Sequence, residues 1–100
     1  AVMTACRPMP DSTVREIFGF EVLSSTEWAA PQNSPFLPNY FVNITLQLQK
    51  KLHALEAYTE EMRVSPHSRS MAHVEVIAHH RGYCIGVDAA EAFEVYRIVR

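Results

Sequence analysis

The chain has 100 residues, 48% of them hydrophobic, 20% charged and 10% aromatic, and nine Lys and Arg against eleven Asp and Glu leave a formal charge of −2. That balance belongs to a globular chain: it excludes disorder, which needs few hydrophobic residues and a high net charge, and it gives no electrostatic case for nucleic acid. Three scattered glycines, Gly19, Gly82 and Gly86, exclude collagen and any glycine-rich phosphate loop, and this length holds at most one small domain.

Residues 1–6 read as the end of a helix that runs straight into Arg7-Pro8-Met9-Pro10. With Ala1 rather than Met in first place, the chain reads as one entered in mid-element, a piece of something longer. No basic region followed by an apolar core is present at this end, so no signal peptide is expected. Pro8, Pro10, Asp11 and Ser12 form a breaker cluster. From Val14 to Leu23 the β-branched and aromatic residues Ile17, Phe18, Phe20 and Val22 predict a strand, apolar on more than one face as buried strands are. Residues 24–38 carry prolines at 31, 35 and 38 among Ser and Asn and read as a long loop of the kind that often has a function. Tyr40 to Ile44 is a second, short strand.

Thr45 is placed to cap a helix over residues 45–62, with Leu48, Leu52, Leu55 and Met62 at helical spacing and Lys50, Lys51, Glu56, Glu60 and Glu61 mostly opposite them. Ser65-Pro66 breaks that helix. Ser70 caps a second one through Arg81, with Val74, Ile77 and Ala78 inward and Gly82 as its left-handed stop. Residues 88–92 suit a single helical turn, and Phe93 to Val99 a last strand. No apolar run approaches the roughly 18 residues of a membrane helix, so no membrane partner is expected.

Most candidate chemistry gives way to a structural reading. Cys6 and Cys84 are far apart and in no metal-like spacing; they read as reduced thiols of a cytoplasmic protein, with a disulfide between them as the alternative. His73 and His80 share a helix face and His79 adjoins His80, but the i, i+4 pairing of helical zinc ligands is missing, since Val76 and Glu75 stand four residues before them. His53 lies on a polar helix face. Cys84 has no base nearby, Ser24 and Ser25 lack a glycine-flanked elbow, and Glu60-Glu61 is a solvated helix end. An enzyme built on Cys84 or on His79 and His80 therefore lacks the geometry it needs.

The stretch Ser65-Pro66-His67-Ser68-Arg69-Ser70 is different. It puts an imidazole and a guanidinium two residues apart just before a helix N-terminus, whose free amides and dipole favour anionic or oxygen-rich groups. Arg69 can grip a hydroxyl or carboxylate there, and His67 can exchange a proton near neutral pH. The alternative is structural, with Arg69 paired to a carboxylate and His67 closing a turn.

Phe20-Glu21-Val22-Leu23-Ser24-Ser25-Thr26-Glu27-Trp28, then Asn39 to Thr45, then Lys51 to Met62, then Pro66-His67-Ser68-Arg69-Ser70, then Arg81-Gly82 through Gly86-Val87 and Ala90-Glu91-Ala92-Phe93 form an ordered set. Together they resemble the C-terminal part of the LmbE/PIG-L family of zinc-dependent de-N-acetylases, over nearly the whole chain. Ser68 stands where the family's Pro-His-Pro-Arg-Ser turn has proline.

The resemblance implies an α/β fold: the C-terminal portion of a Rossmann-like LmbE-type fold, ordered as strand, long loop, short strand, two helices and final strand. Residues 1–100 would then form a single partial domain, incomplete by itself. It implies hydrolysis of an N-acetyl group from an amino sugar or glycoside, with zinc activating the water. The family's His-Pro-Asp-Asp motif and later histidine ligand lie upstream of anything matched. Zinc is thus a cofactor of the full family domain, none is expected to bind this chain alone, and the chain alone is expected to be inactive. What carries over is a pocket rim: His67 and Arg69 in substrate positioning and, more loosely, the Ser24–Trp28 loop. A direct acid role for His67 is the alternative to positioning. The other reading is a non-catalytic α/β interaction module derived from the same family, whose uncovered strand edges and apolar faces call for a partner or a homo-oligomer.

Overall fold

The computed structural model of the chain describes residues 2–22, 35–58, 67 and 70–100. In chain order the elements are α1 (Val2–Ala5), β1 (Glu16–Phe20), β2 (Tyr40–Asn43), α2 (Leu48–Leu55), α3 (Met71–Tyr83) and β3 (Ala90–Ile98). The strands form one sheet in the order β1-β3-β2, so the last strand in sequence is the middle one. Both of its ladders are antiparallel. Helix α3 packs on β3, and α2 packs on α3. The unit is thus a small mixed α/β arrangement, and parallel strands of a Rossmann-like sheet are not among the described residues.

The core is built largely of small side chains. Ile44 and Leu48 meet Ala78 of α3 and Ala89 in one cluster, with Leu52 packed against it. Among the described residues Ile17, Val74, Ala90 and Ala92 are the other buried apolar side chains, so four of these eight are alanines. Alanine lets the backbones of α3 and β3 approach closely, but each such residue withdraws little apolar area from water. Residues 88–92 do not form the expected helical turn, because Ala90 and Ala92 are strand positions paired with Asn43 and Phe41. The high helix propensity of alanine favours a turn there, and burial under α3 overrides it.

The expected strand over 14–23 shrinks to β1 and proves to be an edge strand rather than one buried on both faces. Ile17 is buried while Phe20 is 68% exposed. The register steps from Ile17↔Arg97 to Phe18↔Val95, leaving Tyr96 as the extra residue of a bulge. The Tyr96 ring lies against Gly19, where a Cβ would stand 2.4 Å from its hydroxyl oxygen. Tyr40 and Phe20 both pair with Phe93. The Phe18, Tyr40 and Phe93 rings gather with centroids 4.9 to 6.4 Å apart in tilted or edge-on geometry, as the aromatic quadrupole prefers.

Two helix ends differ from expectation. Thr45 does not cap α2; the N-cap is Gln47, which makes no side-chain cap hydrogen bond. The Thr45 hydroxyl instead donates to Asn43 Oδ1 at 2.7 Å and accepts from the Ala89 amide at 3.3 Å, tying the β2–α2 connection to the residue before β3. Helix α2 ends at Leu55 in tight i→i−3 turns reaching Tyr58; the rest of the expected helix lies outside the described residues. At the other end of α3, Gly82 is inside the helix rather than its stop. The left-handed residue is Gly86, at φ 80°.

The Ser70 cap is as expected: its hydroxyl accepts from the His73 amide at 3.1 Å. Ser70→Ala is expected to cost about 1 kcal/mol. That corresponds to a midpoint lower by about 4–8 °C in thermal denaturation followed by circular dichroism.

Candidate functional site

Of the residues singled out in the sequence, His67 is described and half-buried, while Arg69 and the Ser24–Trp28 loop lie outside the described residues. The His67 carbonyl accepts from the Ser70 amide at 3.0 Å, and the Ser70 carbonyl accepts from the Val74 amide at 3.1 Å. With the Ser70 side chain on the His73 amide, this fixes the turn as the direct lead-in to α3. His67 is therefore held at a capped helix N-terminus, where the dipole favours anionic or oxygen-rich groups.

From that end, α3 presents Val74, Ile77, Ala78 and Arg81 along one stripe at the i, i+3, i+4, i+7 spacing of a single helix face. This stripe is one wall of a groove of about 480 Å³ lined also by Leu55 of α2 and Ala90 of β3. Lys51 and Glu91 on the groove pair at 2.9 Å, joining α2 to β3. At its far end Arg81 meets Glu21 at 2.8 Å, with side-chain exposures of only 17% and 15%. The interior is thus apolar and bordered by two ion pairs, an arrangement that suits a partly apolar molecule carrying hydroxyl or amide groups. Sequence reading missed both pairs, since members 40 (91 − 51) and 60 (81 − 21) positions apart leave no local signal.

His79 of α3 serves the fold. The Nδ1–H of His79 donates to the Asp88 carbonyl at 2.7 Å, its Nε2 stands 3.9 Å from Glu75, and its ring lies 6.0 Å from that of Tyr83. This pins the last turn of α3 to the chain leading into β3. His53 is exposed near Glu56. Cys6 and Cys84 are both free thiols. Among the described residues no three His, Cys, Asp or Glu side chains converge to hold a metal ion. The donor set of these residues does not fit zinc. Nor is any helix among them long and apolar enough to cross a membrane.

Comparison of the chain with protein-family models, with curated proteins and with solved structures finds no match.

Proposed function

We propose that the chain is the C-terminal portion of a zinc-dependent hydrolase of LmbE/PIG-L type, removing an N-acetyl group from an amino sugar or glycoside. In this reading the metal ligands belong to a preceding part of the protein, and the residues here form the rim of the substrate pocket. The observation that carries it is the capped lead-in to α3. The His67-Ser68-Arg69-Ser70 run, which resembles the family's turn, ends on a true N-cap, and the helix it starts lines, from Val74 onward, an apolar groove edged by charge. The element order agrees with the resemblance as well. Arg69 and His67 then act on the sugar hydroxyls and amide, holding the glycoside for attack rather than taking part in bond cleavage. The two free thiols suit a reducing compartment, and the reading places the protein in the cytoplasm.

The test is catalytic. The chain joined to the upstream segment of its own reading frame is expected to hold zinc and release acetate from an N-acetylglucosaminide, whereas the 100 residues alone retain none of the metal. In the longer protein His67→Ala and Arg69→Ala should each lower kcat/KM by about ten- to a hundredfold, with zinc content unchanged by elemental analysis. Absence of acetate release overturns the family reading; wild-type kinetics in both variants overturns the rim assignment.

The interaction-module reading also has an observation in its favour. Phe20, Tyr40 and Val42 are exposed beside Phe93 on one side of the sheet. Light scattering after size exclusion separates the two readings, because an obligate assembly at micromolar concentration favours the module or a homo-oligomer.

A further inference from the structure

Of the two edge strands β1 is the longer, with five residues against four in β2. The Val99 amide donates to the Arg15 carbonyl at 2.7 Å, which makes Arg15 and Val99 a hydrogen-bonded pair of the antiparallel ladder. Bonded and non-bonded pairs alternate from there. The bulge adds its extra residue to β3, so the alternation along β1 is unbroken. Ile17 and Gly19 therefore direct their main-chain groups to β3, while those of Glu16, Phe18 and Phe20 point away from the sheet. Among the described residues no hydrogen bond reaches these outward groups.

The side chains of the same three residues share one face. Phe18 and Phe20 there carry the aromatic group of Tyr40 and Phe93 to the edge, where it stops on Phe20, 68% exposed. A row of free amides and carbonyls backed by aromatic rings is a template for another strand.

Strand β1 is complementary to itself. With a two-fold axis at Phe18, antiparallel pairing sets Phe18 opposite Phe18 of a second copy and Glu16 opposite its Phe20. Each of the three outward residues then donates once and accepts once. A slip by one residue would set outward groups against inward ones, and a slip by two would leave one outward residue unmatched. In the matched register Arg15 faces Glu21 of the second copy at both ends, so the flanking charges are opposite. A formal charge of only −2 leaves little repulsion between copies.

We propose that β1 is a dimerisation edge. Two copies of the chain join β1 to β1 into a continuous sheet in the order β2-β3-β1-β1-β3-β2, and Phe18 and Phe20 of both copies form one aromatic strip across the axis. The edge geometry carries this with or without the hydrolase reading.

Amide exchange followed by nuclear magnetic resonance tests it, in reductant so that the exposed Cys84 forms no link. In a single copy Ile17 and Gly19 are protected by β3, and Glu16, Phe18 and Phe20 exchange freely. From about 20 µM to about 1 mM the outward three should slow about fivefold or more. Over the same range the mass from light scattering should rise towards twice 11.4 kDa. Phe20→Glu sets a carboxylate opposite Glu16 of the second copy and should raise the dimer Kd at least about tenfold. Adding Glu16→Lys makes those pairs opposite in charge and should recover most of the affinity. Within one copy the two positions are about 13 Å apart along the strand, so the rescue reads only the contact between copies.

Outward amides that still exchange freely at about 1 mM overturn the dimer edge. Protection that does not change with concentration overturns it too, because the edge is then covered within the chain. So does a dimer whose outward amides stay unprotected, which docks through the aromatic face instead. Failure of Glu16→Lys to rescue Phe20→Glu removes the register at Phe18. Should Phe20→Glu not fold, the exchange of the unsubstituted chain decides.

Discussion

Gly82→Ala is expected to destabilise the chain by about 2 kcal/mol, the balance of a steric cost of about 3 kcal/mol, the upper part of the range for forcing an extra methyl into a filled space, and a smaller gain in helix propensity. A Cβ at Gly82 would stand 2.6 Å from the Ala89 nitrogen, 2.7 Å from its Cα and 2.7 Å from the Val87 carbonyl oxygen. All three are backbone atoms, and the Val87 amide is itself held by the Gly82 carbonyl at 3.0 Å. Relief therefore requires moving α3 away from the turn that leads into β3. Alanine's better helix propensity returns only about 1 kcal/mol. For a domain of this size the net loss of about 2 kcal/mol lowers the thermal midpoint by about 8–16 °C.

The other two glycines are the controls. At Gly19 the clash is with the end of the Tyr96 ring, which is 52% exposed and can swing aside, so Gly19→Ala should cost less than about 1 kcal/mol. At Gly86 nothing crowds the added Cβ, but the positive φ costs an L-residue about 1 kcal/mol. Calorimetry or circular dichroism melts of the three variants check the ranking. If Gly82→Ala melts no lower than Gly19→Ala, the close approach of α3 to residues 87–89 is wrong.

Leu48→Ala is the second substitution with a large expected effect, about 2–3 kcal/mol from lost transfer energy and the cavity left behind. Leu48 is 5% exposed and sits with Ile44, Ala78 and Ala89. Two of these neighbours are alanines, too short to reach into the space a leucine vacates, so the cavity persists. Leu46, 91% exposed and two residues away, is the matched control, and Leu46→Ala should stay within about 0.5 kcal/mol of the parent. Urea unfolding distinguishes the two: the Leu48→Ala midpoint should fall at an unchanged slope. Equal midpoints would mean that the cluster under α2 and α3 is not the core.

Much of the fold is legible in the sequence where a local rule decides it. The Ser70 cap and the inward Val74, Ile77 and Ala78 of α3 follow from capping chemistry and helical periodicity, and Tyr40–Asn43 follows from its β-branched and aromatic run. Where a distant partner decides, local rules fail. Thr45 has the hydroxyl of a cap, yet the amide of Ala89 claims it. Gly82 looks like a helix stop, but its missing side chain serves the packing of α3 on residues 87–89, and the left-handed stop falls four residues later. Ala90 and Ala92 look helical because their strand role depends on burial under α3. At the site, the His67 turn could be found because it is contiguous. The Glu21–Arg81 and Lys51–Glu91 pairs could not, because only the folded chain brings them together.

The place of β3 at the centre of the sheet also sets an order of events during synthesis. Phe20 pairs with Phe93, 73 residues (93 − 20) further along, and Asn43 pairs with Ala90. At about 5–20 residues per second, β1 emerges roughly 4–15 s before its ladder partner exists. The other edge strand, β2, also waits, but for less: Asn43 precedes Ala90 by 47 residues (90 − 43), roughly 2–9 s, and neither edge strand is paired to the other. Helices α2 and α3, whose hydrogen bonds are local, are complete in the chain before that strand is, so their backbone partners are available first. No ladder of the sheet can close until its middle strand arrives, so both form late and together.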